Sequence, residues 1–532
     1  MLERRDRLQD ELFVAGSLRD LIPSDHVLVR VDKVLDLSWL RDAVSACYDL
    51  EQGRPGIDPE AAVRLMLSGL LLGIVQDRKL LREAQVNLAI GWFCGYALHE
   101  RLPDHSSLTR IRRRWGVERF LEIFERTVEQ CVAAGLVAGL VKGDLVHLDA
   151  TLIRADVSWE SLVKVHVAAV AEANADGAGK DDEPPSAGGP SKGGTAKGGK
   201  SKGGKVKKIS RTDPEARMAT SHGGQRLEPS YKQLTGVDGA AGVVVDVAVV
   251  SGETHEGGAL ADQLERIEAR TGLETVTATA DKAYASGDNY AVLEARGTTA
   301  VIPPQRLRRA PVPLARFKYD AKHDLVRCPR GRKLRRAGRY AKGRFHRARP
   351  ADCRGCPLKA RCVAKSMRAR SVQIPDGYPA LLRARRRHRR KLPEDRAAAA
   401  SHRARVEGVH GEAKAQHGLR RAARRGLSNV AVQAYLTAAV INLKRLARAL
   451  LRLFVRYPRP GARSKRLQAL LEHLARLLAH LRADFRRTSR ASRSAPLNAA
   501  KAGFFNRPTV TGTPLKRFQG PRNQPALPPG RP

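Results

Sequence analysis

Three carboxylates stand out in the sequence because their positions suit a divalent metal ion. Asp149 lies in the apolar, β-branched run DLVHLDATLIRA, and Asp281 closes the similar run ETVTATAD. Alternation along a strand places Asp149 on the face of His147 and opposite Asp144. Mg²⁺ prefers hard oxygen ligands, and phosphoryl transfer depends on divalent ions that hold the attacking and leaving oxygens in line. Taken alone, each aspartate is weak evidence, because an Asp after a strand is more often a turn or helix cap.

The third carboxylate, Glu407, lies in the segment RARVEGVHGEAKAQHG. If this segment is a helix, Arg403 and Lys414 lie within roughly 40° of Glu407 around its axis. Glu412 points about 140° away, so its replacement is expected to be nearly silent. The alternative to a functional cluster is a solvated helix face with salt bridges.

The elements that must hold these carboxylates are those of an α/β protein. Strand patterns recur on both sides of a helical stretch, and helices follow them near the end of the chain. The strands are expected at 144–155, 231–234, 242–250, 274–281 and 298–303, and the helices at 257–270 and 396–452. This order predicts a mixed sheet whose faces are covered by helices.

Residues 20–140 carry helical patterns instead. Asp58 before Pro59, and Asp104 before a run with Leu108 and Ile111, have the sequence pattern of helix N-caps. Arg110, Arg112, Arg113 and Arg114 would form a basic face of the second helix. An ordinary helical bundle and a domain that binds DNA ends are both consistent with this region, since no helix-turn-helix spacing decides between them.

At this point the sequence resembles a known family. The segments HLDATLIRA, ADKAYAS and RVEGVHGEAKAQHGLRRAARRGLSNVAVQAYLTAAVINLKRL look like those of bacterial insertion-sequence DDE transposases, in the branch marked by Y-x2-R-x3-E-x6-K. The stretch from RPGIDPEAAVRLMLSGLLLGI to LPDHSSLTRIRRRWG is similar to the helical N-terminal domain of that branch. The resemblance spans roughly residues 20–450, with the order of the motifs preserved.

The resemblance implies an RNase H-like catalytic core. It also implies that Asp149, Asp281 and Glu407 are catalytic and bind two Mg²⁺ (or Mn²⁺) ions. Arg403 and Lys414 would contact DNA phosphates near the cut. The chain departs from the signature at one position: Ala400 stands where the branch has Tyr. We therefore expect a weaker phosphate contact there, or one supplied by His402.

The charge of the chain points to a polyanionic partner. The net charge is +43 and the isoelectric point is near 10.8, which indicates nucleic acid rather than an anionic membrane. Residues 303–430 alone hold 38 Lys and Arg against 8 Asp and Glu, a density suited to phosphate neutralisation. No signal peptide or membrane span is expected, because the apolar run 65–75 is short and the N-terminus is charged. We expect a cytoplasmic, nucleoid-associated bacterial protein.

Four of the seven cysteines cluster in the basic region with the spacing C-x24-C-x2-C-x5-C. They are Cys328, Cys353, Cys356 and Cys362. Four thiolates suffice for a closed tetrahedral zinc site, but only one of the two pairs is tight. Zinc binding and four reduced, partly buried thiols are both open interpretations.

These patterns predict five regions, around an RNase H-like core with a helical N-terminal domain and a basic insertion. They are a helical DNA-binding or transposase domain (1–140), the first part of the catalytic domain (141–303, with a flexible insertion at 173–208), a basic Cys-containing insertion (304–395), the C-terminal catalytic helices (396–452), and a basic helix with a disordered tail (453–532).

The predicted function is cut-and-paste DNA transposition. The expected partners are double-stranded DNA, as element ends and target, and further copies of the chain when it is bound to DNA. A structure-selective nuclease and a non-catalytic nucleic-acid-binding protein are the alternatives.

Overall fold

The computed structural model describes residues 16–49, 56–166, 206–220, 226–305 and 311–456. They belong to one unit, Met1–Leu474, and the second unit, Ala475–Pro532, lies outside them. Positions 457–532 of the expected basic helix and tail, and positions 173–205 of the expected insertion, also lie outside the described residues. The last three positions of that insertion, 206–208, already belong to a strand.

The N-terminal part of the described chain is helical. Its helices are α1 (Val27–Asp32), α2 (Leu40–Ser45), α3 (Pro59–Leu71), α4 (Asp77–Val86), α5 (Leu88–Cys94) and α6 (His105–Ala138), the last of which kinks at Gly116. The Asp58 carboxylate accepts hydrogen bonds from two amides of α3, and Asp104 accepts one from α6, as N-caps do. Arg112, expected on a basic outer face of α6, is instead buried against Asp77.

The strands and helices of the central region follow in chain order. They are β1 (Leu145–Arg154), β2 (Leu162–His166), β3 (Val206–Ser210), β4 (Arg217–Ala219), β5 (Glu228–Asp238), β6 (Val244–Ser251), α7 (Leu260–Thr271), β7 (Thr277–Ala280), α8 (Gly287–Ala295) and β8 (Thr299–Val301). The sheet order is β2-β3-β4-β5-β1-β7-β8, with β6 also paired to β5.

The centre of this sheet confirms the predicted fold class. Strands β6, β5 and β1 pair antiparallel, whereas β1, β7 and β8 pair parallel. Three antiparallel strands continued by two parallel ones, with helices packed on the sheet, form an RNase H-like core. The parallel neighbours β1 and β7 are the strands that carry Asp149 and Asp281.

Residues 311–390 form a second, smaller sheet with helices. Its elements are β9 (Lys318–Asp320), β10 (Leu325–Arg327), β11 (Lys333–Tyr340), β12 (Gly343–Arg347), α9 (Pro350–Arg354), α10 (Lys359–Cys362), β13 (Ser371–Pro375) and α11 (Tyr378–Arg390). The strands are ordered β13-β12-β11-β10-β9 around a core of ten buried residues.

The chain then returns to the central sheet. Helix α12 (Pro393–His402) leads through a π-helical turn (Arg403–Glu407) into α13 (Gly408–Gln416), and the long α14 (Leu427–Arg456) follows. Among the described residues no helix is long and apolar enough to cross a membrane.

Helix α14 is fixed to the sheet by a buried amide. The Asn442 side chain accepts a hydrogen bond from the Val244 amide at 2.8 Å and donates one to the Val244 carbonyl at 2.9 Å. Both backbone groups lie at the start of β6, and Asn442 is fully buried. Removing the amide would leave both groups without this partner.

We expect Asn442→Ala to lower the free energy of unfolding by roughly 2–4 kcal/mol, since each orphaned buried group costs about 1–3 kcal/mol. Urea unfolding measures the change. Asn429→Ala on the same helix, where the side chain contacts only a local carbonyl near the surface, is the control and should cost less than about 1 kcal/mol. Equal costs for the two variants would contradict this role of Asn442.

Candidate active site

Two of the predicted carboxylates meet at one edge of the sheet because their strands are parallel neighbours. Leu148 on β1 is paired with Ala280 on β7. Asp149 follows Leu148 within β1, and Asp281 is the first residue after β7. The parallel register therefore places Asp149, five residues before the end of β1, beside Asp281 at the end of β7.

The Asp149 carboxyl group is held in surroundings that disfavour its charge. Its side chain is 23 % exposed, and the Nδ1 atom of His410 lies 3.6 Å from its Oδ2 atom. Burial, together with the negative charges of Asp281, Glu256 and Glu407, raises the pKa of Asp149 to about 6. His410 does not offset these charges, since burial lowers the pKa of its ring to about 3 and leaves it neutral.

Asp281 serves partly as a cap. Its Oδ1 atom accepts a hydrogen bond from the Ala283 amide at 2.8 Å, at the start of a 3-10 turn. Burial and the nearby charge of Glu256 raise its pKa, although its backbone hydrogen bonds act in the opposite direction. Asp281 therefore both caps the 3-10 turn and belongs to the carboxylate cluster.

Glu256 is a fourth carboxylate, which the sequence analysis missed. It lies in the 3-10 turn Glu256–Ala259 that follows β6, and its charge acts on both Asp149 and Asp281. The Lys232 ammonium group pairs with it. Glu256 lies five residues beyond the end of β6, so the pattern that selected the two aspartates, a carboxylate at a strand, does not select it.

Glu407 is the last residue of the π-helical turn Arg403–Glu407, whereas the sequence predicted a continuous α-helix there. It is 67 % exposed, and its Oε1 atom lies 3.7 Å from the Nε atom of Arg403, so these two residues are neighbours as predicted. The charge of Glu407 acts on Asp149, which places it at the border of the cluster. A π-turn inside a helix is rare and often marks a functional site.

Lys414 lies on α13 and is half-buried. Burial and the nearby Arg420 lower its pKa, whereas the charge of Asp149 acts to raise it. Lys414 and Asp149 are thus within electrostatic reach of each other.

The prediction that Glu412 would be a silent position is wrong. Its side chain is 17 % exposed and pairs with Lys444 at 2.6 Å and Arg445 at 2.9 Å. These cations and the hydrogen bond with His417 hold the pKa of Glu412 far below its ordinary value. The residue does point away from Glu407, but α14 covers that side of the helix.

The donor set at the sheet edge suits a hard divalent cation in its chemistry. Asp149, Asp281 and Glu407 offer oxygen ligands, and burial together with mutual repulsion raises the pKa of Asp149, a cost that a bound cation would offset. Within the part of the chain that the structure describes, however, no three His, Cys, Asp or Glu side chains group closely enough to hold a metal ion.

The four clustered cysteines line one small cavity of about 30 Å³ in the second sheet region, together with basic side chains such as Arg330 and Arg332. All four are reduced. Thiolates in this number suit zinc, and the cations would balance their charge. Among the described residues these thiols, too, do not lie close enough together to hold a metal ion, so zinc binding stays a prediction.

The pKa of Asp149 predicts how stability depends on pH. Its value in the folded protein, about 6, lies above the ordinary 3.8. The folded state therefore binds this proton more tightly, and the charged form costs stability that grows as the pH rises from about 4 to about 6.

We expect the stability of Asp149→Asn relative to wild type to increase by roughly 1–3 kcal/mol between about pH 4 and about pH 8 in EDTA. Urea unfolding at both pH values measures it. Glu274→Gln, which removes an exposed carboxylate at the opposite end of β7, is the control and should show little change between the two. A pH-independent difference for Asp149→Asn would be evidence against the cluster.

Two protein families match separate parts of the chain. Residues 16–114 match a family described as "Transposase domain (DUF772)", and residues 327–447 match one described as "Transposase DDE domain". The first match covers the N-terminal helices up to the start of α6. The second includes the four cysteines, Arg403, Glu407 and Lys414, whereas Asp149 and Asp281 lie outside both.

Comparisons with whole proteins find only distant structural similarity. A search of curated proteins finds no match. Among solved structures, the chain is similar to a Mos1 transposase paired-end complex with left transposon end, at 13 % identity and a TM-score of 0.14. It is also similar to a pre-cleavage Mos1 transpososome, at 13 % identity and a TM-score of 0.13. Each alignment covers 49 % of this chain and 65 % of the Mos1 chain, so this chain spans less than two thirds of that protein.

These TM-scores are too low to indicate a common fold. The fold is indicated by the strand order, and the similarity to transposases by the two family matches. Two separate parts of the chain, residues 16–114 and 327–447, are thus similar to transposase domains.

Proposed function

We propose that this protein is a bacterial insertion-sequence transposase that cuts and rejoins DNA at the ends of its own element. The observation that carries the proposal is the parallel register of β1 and β7, which places Asp149 beside Asp281, with Glu407 acting electrostatically on Asp149. A DDE transposase domain implies a phosphoryl-transfer enzyme, and such enzymes generally use a divalent metal. Asp149, Asp281 and Glu407 would hold Mg²⁺ or Mn²⁺, which supplies Lewis-acid stabilisation of the phosphate.

The cations beside the carboxylates fit a phosphate backbone. Arg403 is 82 % exposed next to Glu407, and Lys414 lies within reach of Asp149. Both can therefore contact the DNA strand that approaches the carboxylates and hold it there, while their charges offset negative charge that develops on the scissile phosphate.

The second sheet region offers a wider cationic surface. Exposed arginines lie along β11 and at the end of α11. They include Arg335, Arg336, Arg339, Arg386, Arg389 and Arg390. Clusters of this kind release counterions when they bind phosphates, so DNA affinity should fall steeply with salt. Element ends and target DNA are the expected partners, bound by an oligomer of the chain.

Replacing each carboxylate by its amide tests the catalytic assignment. We expect Asp149→Asn, Asp281→Asn and Glu407→Gln each to abolish Mg²⁺-dependent cleavage of DNA that carries the inverted repeats flanking the coding region. DNA affinity should stay within about threefold, because each change keeps the side-chain shape and removes only a metal-binding charge.

Glu274→Gln is the matched control for this series and should cleave like wild type. Near wild-type cleavage by any of the three variants would remove that residue from the assignment. Products in which the cut 3′ end is joined to a second DNA would distinguish a transposase from a nuclease. Binding without cleavage by the wild-type protein would instead favour a non-catalytic DNA-binding protein.

Arg403→Gln and Lys414→Gln test the phosphate contacts. A surface ion pair contributes only about 0–1 kcal/mol. Loss of an electrostatic contact in the transition state costs on the order of 3 kcal/mol, or roughly a hundredfold in rate. We expect both variants to fold normally and to cut at least about tenfold more slowly in single-turnover assays with protein in excess.

The control for this pair is Arg448→Gln, which removes the same charge from an exposed position on α14. Glu412→Gln does not serve as a control, since Glu412 is part of a buried ion-pair network. Equal cleavage rates for Arg403→Gln, Lys414→Gln and Arg448→Gln would contradict the phosphate contacts.

A further inference from the structure

A layer of buried polar side chains lies directly behind the two aspartates. His147 precedes Asp149 by two residues on β1, and Thr279 precedes Asp281 by two on β7. The two are paired across the parallel strands and are 0 % and 1 % exposed. The Nδ1 atom of His147 is hydrogen-bonded to the Thr279 hydroxyl at 2.6 Å.

This layer continues into the helix that leads to Glu407. The Nε2 atom of His147 lies 3.2 Å from the Ser401 hydroxyl, and the Thr279 hydroxyl lies 2.8 Å from the Nδ1 atom of His402. The two histidine rings also pack edge to face at 5.5 Å. Helix α12 ends at His402, and the π-turn that carries Glu407 begins at the next residue.

The hydroxyl of Thr279 is the shared member of the network. The rings of His147 and His402 each bond to this hydroxyl through the Nδ1 atom. A neutral imidazole has one donor and one acceptor nitrogen. The hydroxyl has a single hydrogen, so it donates to at most one of the two rings and accepts from the other.

Other contacts hold the remaining sides of the π-turn. Val406 is fully buried, and the Arg405 guanidinium donates to the Ala240 carbonyl at 2.7 Å. His410 bonds to the Thr235 hydroxyl on β5 at 3.0 Å. The exposed Glu407 side chain itself contacts Arg403, so the position of Glu407 depends on how the turn around it is anchored.

We propose that Thr279, acting through His147, Ser401 and His402, is a positioning residue that fixes the Glu407 turn in register with Asp149 and Asp281. The network joins β1, which contains Asp149, to β7, which Asp281 follows. It also joins both strands to the end of α12, which leads into the turn that contains Glu407. This inference rests on the proposed function, since it takes these three as the catalytic set. Displacement of about 1 Å can cost roughly a hundredfold in rate, so the register of the turn matters.

Two substitutions at one position separate the hydroxyl from the packing. Thr279→Val keeps the side-chain shape and removes the hydroxyl, whereas Thr279→Ser keeps the hydroxyl and removes a methyl group. We expect Thr279→Val to cut at least about tenfold more slowly at saturating protein, with DNA affinity within about threefold of wild type. Thr279→Ser should restore the rate to within about threefold of wild type.

Thr298→Val controls for the loss of any buried hydroxyl. Thr298 is 5 % exposed, and its hydroxyl bonds to the Thr275 carbonyl at 3.0 Å, next to the opposite end of β7. This variant should lose stability, as Thr279→Val does, yet cleave like wild type. Comparable slowing by both valine variants would mean that the role of Thr279 is merely structural.

Hydrogen exchange in the DNA-free, metal-free protein gives a readout independent of cleavage. Amides of residues 403–412 should exchange faster in Thr279→Val than in wild type, Thr279→Ser or Thr298→Val, because the turn loses an anchor. Unchanged exchange in Thr279→Val overturns the proposal, as does a cleavage rate within about threefold of wild type or failure of Thr279→Ser to restore it. If wild type itself does not cleave, the proposed function fails while the exchange result still decides the positioning role.

Discussion

The long helix α14 belongs to both large hydrophobic cores, and the rest of the structure depends on this sharing. One face places Val432, Leu436, Val440 and Leu443 among the N-terminal helices. Another places Val430, Ala434, Ala438 and Ile441 against the central sheet. Since a helix can bury two faces only when both partners are present, the first and last described segments of the chain depend on each other for their stability.

An ion-pair group reinforces the same junction. The Asp77 carboxylate, at the start of α4, pairs with Arg112 on α6 and with Arg424 just before α14. Burial alone would raise its pKa, but the two arginines hold it below the ordinary value. Removing one partner of such an ion pair is costly, because the other partner is then a buried charge without compensation. The cationic partners of Asp77 are therefore structural, although their sequence context looked like a DNA-binding face.

The carboxylate edge has the opposite electrostatic character. Around Asp149 the buried histidines are neutral, and the neighbouring charges are mostly negative. Repulsion of this kind costs stability in the free protein and is typical of sites prepared for a cation or a reacting group. Cations lie at its border, at Arg403 and Lys414, where an approaching phosphate backbone would meet them.

The sequence by itself determined the features that depend on local order. Alternation and β-branching located the strands of Asp149 and Asp281, and capping residues located α3 and α6, because these signals lie within a few residues of one another. Only the tertiary structure decided which charges are paired and what surrounds each carboxylate. The sequence predicted exposed side chains for Arg112 and Glu412, yet each pairs with a residue far along the chain, at separations of 35 and 33 residues. The site contribution of Glu256 and the π-turn before α13 likewise arise from packing between distant segments, which no local pattern encodes.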